Sequence, residues 1–282
     1  MPKDLVHTVK RGENLSKIAK KYKASNWKYI YEDPVNAKFR KERPNPNEIQ
    51  PGDKIVIPPT PGTVTNKYSK NLPRMSIDID ATKSLIFVQQ KWAYVFVEKS
   101  GVSKWTSKEK KDFHNAADKA IWARWSGKFK LTCSGKSDFA RAYKDTVFDV
   151  SFDIKYVKSS GHWTVTVTKV PKGSKSPTSS VNWTDQTIAL DSEDTKLKDL
   201  LGTGKKKDKQ SPFAHEFGHA VGNSKHGPAA HGDEYKSSSA NFADKKSMMN
   251  IGNQLRKRHA DHLVMELDKM IKDTTWTVKS VG

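Results

Sequence analysis

Residues 215–219 read His-Glu-Phe-Gly-His, and this pentad restricts the chain more than any other feature. Positions i and i+4 of an α-helix share a face, so His215 and His219 can aim imidazole nitrogens at one ion, as zinc coordination requires. Glu216 then stands where its carboxylate can take a proton from a zinc-activated water and pass it to a leaving amine. Ser211 and Pro212 suit a helix start, with proline in the first turn, and Gly222 suits its stop. A surface helix with two unrelated histidines is the plain alternative, and it leaves Phe217-Gly218 unexplained. Glycine inside a helix costs about 1 kcal/mol relative to alanine, so Gly218 predicts close approach by another backbone.

A chain of 282 residues suits a small module joined to a larger one. Residues 1–58 form the first unit, 59–74 a linker rich in turn formers, and 75–282 the second unit. In the first, Val6, Thr8 and Val9 give a strand signal, and Asn14 caps a helix bearing Leu15, Ile18, Ala19 and Tyr22. A second helix starts near Asn26, and Lys54–Pro58 is a strand after the turn Pro51-Gly52-Asp53, so the order is βααβ. The second unit opens with strand patterns at 76–80, 85–88 and 94–97. A helix over 108–125 follows, then strands at 129–132, 147–157, 163–170 and 187–190. Strand 187–190 is either an edge that an extended peptide can join or an ordinary interior strand. Residues 255–271 read as an amphipathic helix that closes the core. The whole is α+β, and aromatic content (eight Trp, eight Tyr, eleven Phe) suffices for a core without disulfide staples.

The single cysteine, Cys133, reads as a small buried apolar residue, and its solitude suits folding in a reducing cytosol. His7, His114, His162 and His262 read as packing or surface histidines. The opening Met-Pro-Lys-Asp-Leu-Val-His has neither apolar core nor cleavage site, so classical export is not expected, and no apolar run is long enough to span a membrane. The net charge of +20 favours polyanionic surroundings, but its lysines are spread thinly, which points away from a dedicated nucleic-acid site.

The opening His7-Thr8-Val9-Lys10-Arg11-Gly12-Glu13-Asn14-Leu15 and the ending Ile49-Gln50-Pro51-Gly52-Asp53-Lys54-Ile55-Val56-Ile57-Pro58 resemble the LysM glycan-binding family. That resemblance implies binding of peptidoglycan or chitin chains between two loops, here Gly12, Glu13, Asn14 and Asn47, Glu48, Ile49. The stretch from Asp33 to Arg43 is longer and more basic than the family pattern.

The segment from His215 to Gly222, with Ser247-Met248-Met249-Asn250-Ile251-Gly252, resembles the metzincin-like zinc metallopeptidases, whose Met-bearing turn lies beneath the metal. The main pattern places a third histidine ligand six residues after the second, where this chain has Lys225. The third ligand is then sought among His226, His231, Asp233 and Glu234. Asp233 is favoured, because Gly232-Asp233-Glu234-Tyr235 resembles an element of bacterial toxins in which an aspartate completes the site, with 223–231 looped out as an insertion. Tyr235 and His259 are candidates to stabilise an oxyanion or contact substrate, or else make structural hydrogen bonds. Together the resemblances imply a zincin-like sheet with an active-site helix and a C-terminal helix, fused to LysM. They imply a Zn2+ metallopeptidase cleaving polypeptide, tethered to peptidoglycan. It would be made in the bacterial cytoplasm and delivered as an effector by secretion machinery to the periplasm or beyond. A peptidoglycan peptide hydrolase and a non-catalytic wall-binding adaptor are the competing expectations.

Overall fold

A computed structural model describes residues 5–174, 179–199, 209–227, 229 and 232–282. In the N-terminal unit, β1 (Leu5–Thr8) leads to α1 (Leu15–Lys21), whose first turn is capped by the Asn14 side chain accepting from the Lys17 N–H. Helix α2 (Trp27–Tyr31) is capped in the same way by Asn26. The expected βααβ order gains one element: after a 3₁₀ turn at Pro34–Asn36, the basic stretch forms α3 (Ala37–Glu42). Arg40 ties it down by donating to the carbonyls of Tyr31 and Asp33, at 2.6 and 2.8 Å. Strand β2 (Lys54–Ile57) then pairs antiparallel with β1, and Ile18, Ile30 and Ile55 are fully buried beneath.

The chain next enters a nine-stranded mixed sheet sooner than expected. Residues 67–71, placed within the linker by sequence, form β3 (Lys67–Asn71), which pairs with β4 (Ser76–Asp80). The two apolar runs that follow are one strand, β5 (Leu85–Glu98), parallel first to one neighbour and then to another. Helix α4 (Ser107–Trp125) begins with a Thr106/Glu109 capping box. It buries Phe113, Ala117, Ile121 and Trp125, a stripe with i, i+4 spacing. Then come β6 (Phe129–Gly135), α5 (Asp138–Ala142), β7 (Phe148–Val157), β8 (Trp163–Lys169), β9 (Ser180–Asn182) and β10 (Thr187–Asp191). A short antiparallel pair, β11 (Lys198–Asp199) with β12 (Lys209–Gln210), precedes α6 (Pro212–Ala220).

The expected closing helix is split and is not the last element. Lys257–Ala260 is a 3₁₀ turn, α7 (Asp261–Met270) follows, and the chain ends in β13 (Thr274–Val281), which joins the sheet antiparallel to β6. The main path of the sheet is β13-β6-β7-β5-β8-β10-β9, so β10 is interior and the three-residue β9 forms the edge. Helix α4 packs between this sheet and α6, with Phe113 edge-on to Phe213 and Trp125 edge-on to Phe217. Among the described residues no helix is long and apolar enough to cross a membrane.

Candidate metal centre

Helix α6 is buried along its whole length, so the partner of each of its polar side chains, or the want of one, is informative. The Ser211 side chain accepts from the Ala214 N–H, Pro212 sits in the first turn, and Gly222 turns the chain out at φ +123°. Gln90 of β5 closes the helix C-terminus by donating to the Ala220 carbonyl at 2.8 Å. Gly218 has a different cause from the one expected. A Cβ there would lie 2.4 Å from Met249 Sδ and 2.9 Å from the Trp125 ring, so the close neighbours are side chains rather than backbone.

His215 and His219 face each other with ring centroids 4.9 Å apart, each about nine-tenths buried. His215 Nδ1 lies 2.7 Å from the Met248 carbonyl, and His219 Nδ1 lies 2.6 Å from the Asn223 carbonyl. A carbonyl only accepts, so each Nδ1 carries the proton and each Nε2 keeps its lone pair, the tautomer a metal needs. Burial pushes His215 down to about 4 and lowers His219 as well, keeping both rings neutral. The Met-bearing turn therefore acts on α6 twice: the Met248 carbonyl orients His215, and Met249 packs under Gly218.

Asp233 Oδ1 stands 3.5 Å from His219 Nε2. Zinc bonds of about 2.0–2.2 Å at tetrahedral angles separate neighbouring donors by about 3.4 Å, so this spacing suits two ligands of one ion. Its other oxygen pairs with Lys236, and among the described residues no three His, Cys, Asp or Glu side chains are gathered closely enough to form a metal-holding group as they stand. Burial alone would raise the Asp233 carboxyl; Lys236 and His219 outweigh it and keep the group ionised. The donor set of two neutral imidazoles and one carboxylate fits zinc in a site with an open position. Of the alternatives, His226 is exposed on the cavity rim and His231 lies outside the described residues.

Glu234, another of the candidates, is engaged by Arg258. Its buried carboxylate accepts from Arg258 Nε and Nη2, at 2.7 and 2.9 Å, and its backbone N–H donates to the Met249 carbonyl. Burial would raise it, but Arg258, His259 and Ser247 take it down to about 2. His259, a candidate for the cavity by sequence, lies beneath it at 3% exposure. Its Nδ1 accepts from the Arg256 N–H at 3.1 Å, so Nε2–H points to Ser247 Oγ at 3.1 Å: it braces the Met-bearing turn. Asn223, expected to begin a looped-out insertion, is 1% exposed and donates to the carbonyls of Gly218 and His259.

A cavity of about 700 Å³ opens over the histidines, walled by Glu216, Asp233, Tyr235, Lys198 and the β9 edge. Glu216 is 6% exposed, and among the described residues its Oε2 has no hydrogen-bond partner. Burial, then the charges of Asp194 and Asp233, push it up to about 8; a dication beside it would act in the opposite direction. Tyr235 bonds to Asp233, and burial and that carboxylate push its phenol up to about 12. Sequence reading missed Lys198, whose Nζ lies 2.5 Å from the buried Asp194 and 3.8 Å from Asp191. Its only signal was the acidic run Asp191–Asp194 four to seven residues upstream.

In the N-terminal unit, antiparallel pairing of β1 with β2 puts the loops 10–14 and 43–53 at one end. Gly12 turns at φ +82°, and Asn14 is committed to its helix cap. Glu13 accepts from the Lys10 N–H at 2.8 Å and bonds His7 Nε2 at 2.9 Å. The Asn47 N–H donates to Asn45 Oδ1, Glu48 accepts from Asn45 Nδ2, and Ile49 packs on the small core. The family model for the LysM domain matches residues 7–28, which span β1 to the start of α2. No curated protein and no solved structure matches the chain.

Proposed function

We propose that the chain is a zinc-dependent endopeptidase carried on a peptidoglycan-binding LysM module. The observation that carries the reading is the pairing of two metal-ready imidazoles with a buried Glu216 Oε2 that has no partner among the described residues, over one cavity. His215, His219 and Asp233 would hold zinc. Bound there, zinc would polarise a scissile carbonyl and acidify water. Glu216 takes the proton from the attacking water at Oε2 and returns it to the leaving amine. Tyr235, kept protonated, is a donor for charge developing on the carbonyl oxygen. The β9 edge offers main-chain hydrogen bonds to an extended peptide along the cavity wall.

The LysM match favours a second reading of the substrate, in which the bond cleaved belongs to wall peptides. A wall-binding adaptor without catalysis has no use for Glu216 in its present environment. Delivery by a specialised secretion system is supported by the resemblance to effector peptidases. Zinc-loaded protein incubated separately with a denatured protein mixture and with purified sacculi, followed by mass analysis of released fragments, tests these readings. New internal peptide termini in the protein mixture are expected. Muropeptides released without them would move the substrate to the wall, and no release from either would contradict catalysis.

A further inference from the structure

A second cavity, of about 530 Å³, adjoins the first, and Trp183 and His226 line both. Its floor contains a buried polar atom with nothing to bond among the described residues: His262, 8% exposed, has an Nδ1 without a partner there. Its ring is held edge-on to Trp183 at 5.4 Å and against Gly222, where a Cβ would lie 2.4 Å from His262 Cβ. An unsatisfied buried donor or acceptor costs about 1–3 kcal/mol, so a group that is so fixed and so unpaired points to a ligand. Opposite it, Arg74 stacks over the Trp183 ring at 4.5 Å and donates Nε and Nη2 to the Trp183 carbonyl at 3.1 and 2.8 Å. Among the described residues its Nη1 edge has no partner, so a cation is preset on the cavity wall. Among the described residues the one carboxylate there, Glu266, is answered by Lys269 at 2.7 Å and Lys70 at 3.7 Å. The balance of charge is positive.

We propose that this cavity is a specificity subsite for an acidic side chain of the substrate, glutamate or aspartate. The carboxylate lies between the Arg74 guanidinium and His262 Nδ1–H, while the adjoining main chain runs past Trp183 to the zinc cavity. The inference rests on the peptidase reading for its place beside a scissile bond, but not for the binding itself. Two measurements therefore separate them. In the zinc-loaded protein with labelled histidines, the His262 ring signals, identified by their loss in His262→Gln, should shift on titration with N-acetylglutamate amide. N-acetylglutamine amide should bind about tenfold more weakly, which is about 1.4 kcal/mol. Arg74→Gln, which retains a donor for the Trp183 carbonyl but not the charge, should erase the difference. Equal shifts with both probes, or none with either, would overturn the subsite. Cleavage of a peptide library should show acidic residues enriched at one fixed position, and Arg74→Gln should remove the enrichment. Cleavage without that enrichment would sink the subsite and leave the peptidase standing. No cleavage, with the His262 shifts intact, would do the reverse.

Discussion

Gly218 joins helix propensity to tertiary packing in one residue. Gly218→Ala should gain about 1 kcal/mol of helix propensity. It should lose about 1–3 kcal/mol because the new methyl meets Met249 Sδ and Trp125. We expect a net fall in Tm and weaker zinc binding, since Met249 adjoins the carbonyl that orients His215; calorimetry and zinc titration check both, and an unchanged Tm would contradict the packing. The pentad itself was legible because helical spacing alone aligns His215 with His219. The cause of Gly218 was not, because it lies thirty-one residues away in the Met-bearing turn. A third donor was legible only as a shortlist of candidates, since no periodicity governs the loop after α6. Asp233→Asn should weaken zinc binding at least tenfold, about 1.4 kcal/mol, and His226→Asn should not; the reverse order would place the third donor at His226.

Among the elements, the segment 244–259 holds the site from beneath through charges. Arg256 and Arg258 both bond Asp244, and Arg258 continues to Glu234. Arg256 holds the Asp244 carboxyl well below the ordinary carboxylate range, against the effect of burial, with help from Arg258. A depressed folded pKa means stability that is full above the unfolded value of about 3.9 and lost as pH falls through the folded value. Tm should therefore drop below about pH 4, and less steeply in Asp244→Asn; identical slopes would remove Asp244 from the clamp. Other elements escaped the sequence for local reasons. Strand β3 is polar with no buried position, so it shows no apolar period. Strand β5 looked like two because Gln89-Gln90-Lys91 interrupts it, yet Gln90 is fully buried, bonding Ala220 and Trp92. Strand β13 is threonine-rich, and its pattern emerges only after Asp273 turns at φ +57°.

For the whole molecule, the LysM-matched unit is tied to the larger one through Tyr29, whose one hydroxyl hydrogen is shared between the Pro59 carbonyl at 2.7 Å and the Arg141 carbonyl at 2.9 Å, and through Asp33 with Arg141 at 3.7 Å. With a net charge of +20, adhesion to an anionic wall and recognition of its glycan would both retain the protein on sacculi. Salt distinguishes them. At about 1 M salt the Debye length is about 3 Å, so retention by charge should vanish while retention by glycan contacts persists. Co-sedimentation across a salt series should show the persistent component, and complete release would contradict glycan binding. The central assignment is hydrolysis by Glu216 over a zinc held by His215, His219 and Asp233. Its most direct measurement is turnover of a cleaved peptide by wild type and Glu216→Gln, each assayed beside its own zinc content. One zinc per chain in both, with turnover lower by about 10²–10⁴ in the variant, is the result predicted. Equal turnover at equal zinc content would contradict it.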